Sequence, residues 1–284
     1  MKRLVGTTGS LSGPTLAVLR RTGWLLCVCP WLWSQGTQAA VPPGSSAPKA
    51  SPQARTPRGF DLPGYWVSIV TQNWRFRMVV PGRGEYAEIP LNLKAKQFAD
   101  AWKPASDEAA GKQCEAYGAA AIMRVPERLH ISWQDARTLE VQTDSGMQTR
   151  LLHFAPTAAD ASASASASRQ GYSVAHWALH AAPFARPGGG PSGAKPKPQY
   201  GGMQVMTDHM LPGLLRKNGV PYSGKAQMSE YWEVNGEPDG DQWLTVTTEL
   251  QDPEYLQTPF YFTSIFQKQP DGSKWDPTPC SLTQ

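Results

Sequence analysis

The sequence predicts a mainly β protein: a single antiparallel β-barrel or sandwich with one short helix and long loops rich in Pro, Gly, Ala and Ser. Three observations carry that expectation. Apolar and polar residues alternate over several stretches, as in Leu129, Ile131 and Trp133 against His130 and Ser132, which is the period of a strand with one face buried. Short polar links, Gln134–Thr138 and Thr143–Gly146, separate such stretches at hairpin distance. Finally, 26 glycines and 26 prolines in 284 residues that are 40% hydrophobic describe an ordered core with long connections rather than a helical bundle.

Taken in order, residues 1–39 have the parts of a secretory signal peptide. These are basic residues at Lys2, Arg3, Arg20 and Arg21, an apolar run from Trp24 to Trp33, and small residues at Thr37, Ala39 and Ala40. The apolar run is shorter than a bilayer-spanning helix requires, so no transmembrane anchor is expected in the mature chain, which is expected to be soluble. Arg20–Arg21 leaves twin-arginine export open beside the general route. Leu26 and Val28, which precede Cys27 and Cys29, argue against lipid attachment. Residues 40–59 form a Pro/Ser/Ala-rich spacer without apolar periodicity, expected to be disordered. Residues 60–284 are expected to form one β-rich domain with flexible insertions near 157–170 and 183–199.

Within that domain, Trp66–Thr71, Trp74–Val80, Leu129–Trp133, Leu139–Val141, a third neighbouring strand ending near Phe154, Tyr172–Leu179, Met203–Met210 and Ala226–Val234 read as strands. Two more carry Leu244, Val246, Thr248 and Leu250 on one face, and Phe260, Phe262, Ser264 and Phe266 on one face. The helix is expected around Leu93–Trp102, where Leu93, Phe98 and Trp102 recur at roughly helical spacing. The eight tryptophans from Trp66 to Trp275 fit core packing and also the wall of an apolar site.

Charge and cysteines narrow the function classes. The formal charge is +4. Loss of the four leader cations brings it to zero, and the spacer holds Lys49, Arg55 and Arg58, leaving −3 from Phe60 onward. Such a balance offers no electrostatic footprint for nucleic acid. Cys114 and Cys280 are the cysteines left after cleavage, and in an oxidising compartment they are expected to pair. A catalytic thiol at Cys114 is the alternative. The expected location is periplasmic or extracellular.

Local motifs assign no cofactor and no metal. Gly219–Lys225 has phosphate-loop spacing, but Ala226 stands where a magnesium-binding Ser or Thr belongs and Pro221 removes a backbone donor, so a Gly-Pro loop is expected. Asn235–Asp241 begins like a calcium loop, yet Val246 replaces the closing Glu, and a polar turn accounts for it. Trp177 lies between His176 and His180 where a metalloprotease helix needs its Glu. The polar residues Arg150, His153, Asp208, His209, Glu230 and Tyr231 sit on strands and are the candidates for a barrel interior. Of these, Arg150, His153, His209, Glu230 and Tyr231 are taken as ligand-binding.

At Asp61–Trp66, DLPGYW resembles the Gly-x-Trp opening strand of lipocalin-like barrels. The strings AAGKQCEAYGAAAIMRVPERLHISWQD, LPGLLRKNGVPYS, DPEYLQTPFYFTS and WDPTPC resemble an uncharacterised group of exported bacterial proteins over roughly Asp61–Cys280. That resemblance implies export and a shared lipocalin-like β domain and assigns no activity or catalytic residue. The favoured expectation is therefore an exported protein that binds a small apolar or amphipathic molecule in a β-barrel. Two other classes stay open: an isomerase or lyase on the same barrel, using Arg150, His153, His209 or Glu230, and an envelope or polysaccharide interaction module.

Overall fold

The computed structural model describes residues 60–154, 165–180 and 200–282. The leader, the spacer, the segment 183–199 and most of 157–170 lie outside the described residues. Eleven strands are present among them: β1 (Gly64–Ile69), β2 (Arg128–Trp133), β3 (Thr138–Thr143), β4 (Thr149–His153), β5 (Tyr172–His180), β6 (Tyr200–Asp208), β7 (Gly213–Arg216), β8 (Val220–Tyr222), β9 (Gln227–Gly236), β10 (Gln242–Gln251) and β11 (Phe260–Gln269). Nine of them close a barrel in the order β1-β11-β10-β9-β6-β5-β4-β3-β2, while β7 and β8 form a separate hairpin. Of the two architectures left open by the sequence, the barrel is the one formed.

Alternation decides what fills the barrel. Leu129 and Ile131 on β2, Leu139 and Val141 on β3, Trp232 on β9, Leu244 and Val246 on β10 and Phe266 on β11 are all buried. Their neighbours of opposite parity, such as Tyr231, Glu233 and Tyr261, are exposed. Apolar residues thus point inward and polar ones outward, the reverse of a membrane-spanning barrel. No helix among the described residues is long and apolar enough to cross a membrane. Trp66, fully buried, donates its indole N–H to the Leu62 carbonyl at 2.8 Å, tying the chain just before β1 to the core.

The sheet departs from the antiparallel expectation at one seam. β4 and β5 pair in parallel over two residue pairs, Leu152↔Ser173 and His153↔Val174, whereas β9 and β10 pair antiparallel from Gln242↔Gly236 to Gln251↔Gln227. The β4–β5 connection re-enters the sheet in the same direction, so no hairpin could join them.

Helices also exceed the single one expected. α1 (Trp74–Met78), α2 (Leu93–Ala101), α3 (Pro104–Ala109), α4 (Ala119–Ile122) and a 3₁₀ turn (Gln113–Tyr117) occur among the described residues. α1 replaces the strand expected at Trp74–Val80. The alternation Trp74, Phe76, Met78, Val80 is that of a strand, but Asn73 enters the left-handed region (φ 54°) and breaks the extended chain, and one turn of helix then carries Phe76 beneath the Arg216 guanidinium. α2 is where expected, capped by the Asn92 side chain accepting from the Ala95 N–H at 2.9 Å. Its buried face is made by Ala95 and Ala99, with Leu93 and Phe98 exposed, and the helix packs against β8.

The stretch expected as a Gly-Pro loop at Gly219–Lys225 contains β8. Gly219 turns the β7–β8 hairpin at φ 87°, against the Trp102 side chain, where a Cβ would collide with the ring. This hairpin, α2, α4 and the Leu250 to Phe262 region form a second small core at one end of the barrel. Residues 165–170 are anchored to it, since the Arg169 carbonyl accepts from the Ala119 N–H at 3.2 Å and Gln170 Nε2 donates to the Tyr117 carbonyl at 2.8 Å.

Cys114 and Cys280 form a disulfide across 166 positions, with Cα atoms 5.1 Å apart. Next to it the Tyr117 hydroxyl donates to the Ser281 carbonyl and accepts from the Ser281 N–H, both at 3.1 Å. The bridge pins the C-terminal segment to the 3₁₀ turn, and a cross-link over so long a loop mainly restricts the unfolded chain. Reduction, or Cys280→Ser, is expected to lower unfolding free energy by about 2–5 kcal/mol, read as a lower urea midpoint with and without reductant.

Candidate functional site: an arginine-lined pocket

Of the residues singled out on the strands, the barrel brings two together. Arg150 on β4 and Glu230 on β9 meet inside the barrel as a two-pronged ion pair, Nη1 to Oε1 at 3.0 Å and Nη2 to Oε2 at 2.6 Å. Both are buried. Arg150 also donates from Nη2 to Thr207 Oγ1 at 2.7 Å and from Nε to Ser173 Oγ at 3.2 Å, and the two hydroxyls share a hydrogen bond of 2.8 Å. Ser173 lies on β5, so this network laces the two-pair parallel seam. Its groups hydrogen-bond one another.

The other three candidates lie elsewhere. His153 stacks on Tyr172 with ring centroids 4.8 Å apart, and partial burial holds its pKa below the usual imidazole value, with Asp135 opposing that shift. His209, at φ 53° just after β6, is hydrogen-bonded to the neighbouring Asp208 carboxylate at 2.8 Å. Tyr231 follows Glu230 and so faces outward, where its hydroxyl accepts from Gln204 Nε2 at 3.3 Å. The segment Asn235–Asp241 closes on itself as a turn, Glu237 N–H to the Asp241 carbonyl at 2.8 Å and Gly240 N–H to the Glu237 carbonyl at 3.0 Å.

A concave site lies away from the barrel strands, among the helices, connections and β7–β8 hairpin packed on the barrel. A pocket of about 240 Å³ is enclosed by α1 and the chain after it (Phe76 to Pro81), by Ala121, Arg124, Val125 and Pro126 between α4 and β2, by Ala116 and Ser145, and by Leu215, Arg216 and Lys217 at the β7 turn. Its lining mixes apolar side chains with Arg77 on α1, Arg124 after α4, and Arg216 and Lys217 at β7.

Arg124 and Arg216 are only 6% and 5% exposed. Arg124 lies over the rings of Phe260 and Phe262, at 5.1 and 5.2 Å, and Arg216 over Phe76 at 4.6 Å. The rings' negative faces compensate part of the charge. Hydrogen bonding does not complete the compensation: Arg216 Nη2 reaches Glu88 Oε2 at 3.3 Å and Arg77 Nε donates to the Arg124 carbonyl at 2.8 Å. Arg77 Nη2, Arg124 Nη1 and Nη2, and Arg216 Nε and Nη1 are buried without an acceptor. Buried N–H groups are otherwise almost always paired, and unpaired ones are costly, more so when charged.

Electrostatics agree with that geometry. Burial first, then repulsion from Arg216 and Arg77, bring the Arg124 pKa down to about 9, against a small opposing pull from Glu88. Burial lowers Arg216 and Arg77 as well, opposed by Glu88 and Glu127 respectively. A guanidinium resists deprotonation, so the cluster remains charged at neutral pH and an anion relieves the cost. Nearby Glu127 is buried with neither carboxylate oxygen hydrogen-bonded. Desolvation, then repulsion from Asp144, push its pKa well above the usual carboxylate range, against attraction from Arg77.

A carboxyl whose folded pKa is raised contributes stability at acid pH that is lost as pH climbs through the raised value. Stability of the native chain is therefore expected to decline as pH rises beyond the ordinary carboxylate range. Glu127→Gln is expected to flatten that decline, as read from denaturant midpoints across a pH series.

Sequence reasoning passed over these arginines because they come from three distant segments. A signal was present: Arg124 closes the run AAAIMR and Arg216 closes LPGLLR, each a cation inside an otherwise apolar stretch, where burial forces a need for a counter-charge. No family model, curated protein or solved structure matches the chain.

Proposed function

We propose that this is an exported binding protein for small amphipathic organic anions, held in the pocket between α1, α4 and the β7 turn. The charged end, a carboxylate or phosphate, sits among Arg124, Arg216 and Arg77, and the apolar part lies against Phe76, Val79 and Val80. The observation that carries this reading is the set of five buried guanidinium nitrogens lacking an acceptor around one pocket. Planar guanidinium groups match carboxylate and phosphate oxygens in pairs, and all three arginines are donors, an arrangement for recognition rather than proton transfer. Export is supported by the leader-like first segment and by the disulfide, since cystines persist in oxidising compartments.

Thermal shift and titration calorimetry with octanoate, octyl phosphate and octanol test the reading. The two anions are expected to raise the melting temperature and to bind, and octanol is not. Equal responses to all three, or none to the anions, would overturn it. Affinity is expected to hold at neutral pH and to fall as pH rises through about 9, where burial and the neighbouring cations bring Arg124 to half-protonation.

A further inference from the structure

The rim of the arginine pocket carries an apolar patch that extends beyond the pocket to Trp74. Trp74 and Met78 are 64% and 57% exposed, and Val79 is 59% exposed. Trp74 and Met78 stand one turn apart on α1 and so share a face, while Met78 and Val79 also line the pocket. The same turn sends Phe76 and Arg77 to the pocket wall. An indole, a thioether and an isopropyl group presented together to solvent at the edge of a cavity are unusual for a surface, where large apolar residues normally occur singly.

The charge around this patch is local and positive. Arg75, Arg77, Arg83, Arg124, Arg216 and Lys217 lie within the segments that form the pocket and its rim. The acidic residues in the same segments are Glu85, ion-paired to Arg75, Glu88, on Arg216, Glu127, whose carboxyl is buried, Glu115, paired with Lys112, and Asp144, paired with Arg128. This cationic zone sits on a domain whose formal charge from Phe60 onward is −3, so general electrostatics would not draw the protein to an anionic surface but this face would.

We propose that the α1 face docks on the surface of an anionic phospholipid bilayer, with Trp74, Met78 and Val79 entering the interface and the arginine pocket opening toward the lipid head groups. Indole rings favour the head-group level, and apolar insertion combined with cationic attraction is how peripheral proteins hold to anionic membranes. The inference rests on the anion-binding reading for the pocket's ligand class and adds the place where that ligand is met.

Flotation with vesicles of phosphatidylglycerol and phosphatidylcholine, against phosphatidylcholine alone, tests it with the full mature chain. The native protein is expected to float with the anionic vesicles, less so as salt rises, and not with the neutral ones. Trp74→Ser, at a position outside the pocket lining, is expected to weaken vesicle binding about fivefold or more while octanoate affinity stays unchanged. Because this side chain is exposed, the variant should fold as the native chain does, checked by its melting temperature. Flotation equal on neutral vesicles, no flotation, or an unaffected Trp74→Ser variant would overturn the docking proposal even if octanoate binds. Loss of octanoate binding in the native chain with vesicle binding retained would instead overturn the pocket reading and leave the docking face standing.

Discussion

Arg124→Met is expected to have two opposite effects: the unliganded protein gains stability and anion affinity collapses. Methionine keeps the length needed to cover Phe260 and Phe262 while removing two buried donors that no protein group accepts from. Leaving such donors unsatisfied costs about 1–3 kcal/mol, so unfolding free energy should rise by that order, read from urea midpoints. Truncating one side of a buried charge contact costs about 2–5 kcal/mol in binding, so octanoate affinity should fall by at least about thirtyfold. A merely structural arginine would give the reverse stability result. Arg216→Met, which also frees Glu88, should reproduce the affinity loss with a smaller stability gain, because that arginine keeps one acceptor.

The second large effect is expected inside the barrel. Glu230→Gln removes the counter-charge of Arg150 where both are buried, and breaking a buried pair from one side costs about 3–5 kcal/mol. The loss should be felt first at the β4–β5 seam, which has two residue pairs to hold it, and faster amide exchange in β4 and β5 than in β10 and β11 would show that. Arg150→Met combined with Glu230→Leu should recover most of the stability, since Ser173 and Thr207 can still satisfy each other. The double-mutant cycle then gives the coupling energy directly. If Glu230→Gln is silent, the network does not lace the seam.

The strands with a clean two-residue period were legible without coordinates. β3, β10 and β11 bury the residues their alternation names, β2 buries Leu129 and Ile131 with Trp133 partly buried, and the Cys114–Cys280 bridge follows from cysteine arithmetic. Trp74–Met78 was not legible, because five residues of alternating pattern fit a strand and one helical turn equally, and the choice falls to Asn73 and to the place available for Phe76. The buried face of α2 was not legible either: Leu93 and Phe98, which recur at helical spacing, are exposed, and the buried residues are Ala95 and Ala99.

The candidate site divides the same way. Arg150 and Glu230 were visible as polar residues on strands, and their meeting required the barrel order that sets β4 two strands from β6 and three from β9. Arg77, Arg124 and Arg216 come from separate segments and acquire meaning only when α1, α4 and the β7–β8 hairpin fold around one space. By itself the sequence determined the β class, the inward residues of most strands and the disulfide, because alternation and cysteine number are local properties of the chain. Tertiary structure alone decided the parallel seam, the Arg150–Glu230 network and the cationic pocket, because which charges lose water, and which partners they then lack, depends on segments far apart in sequence.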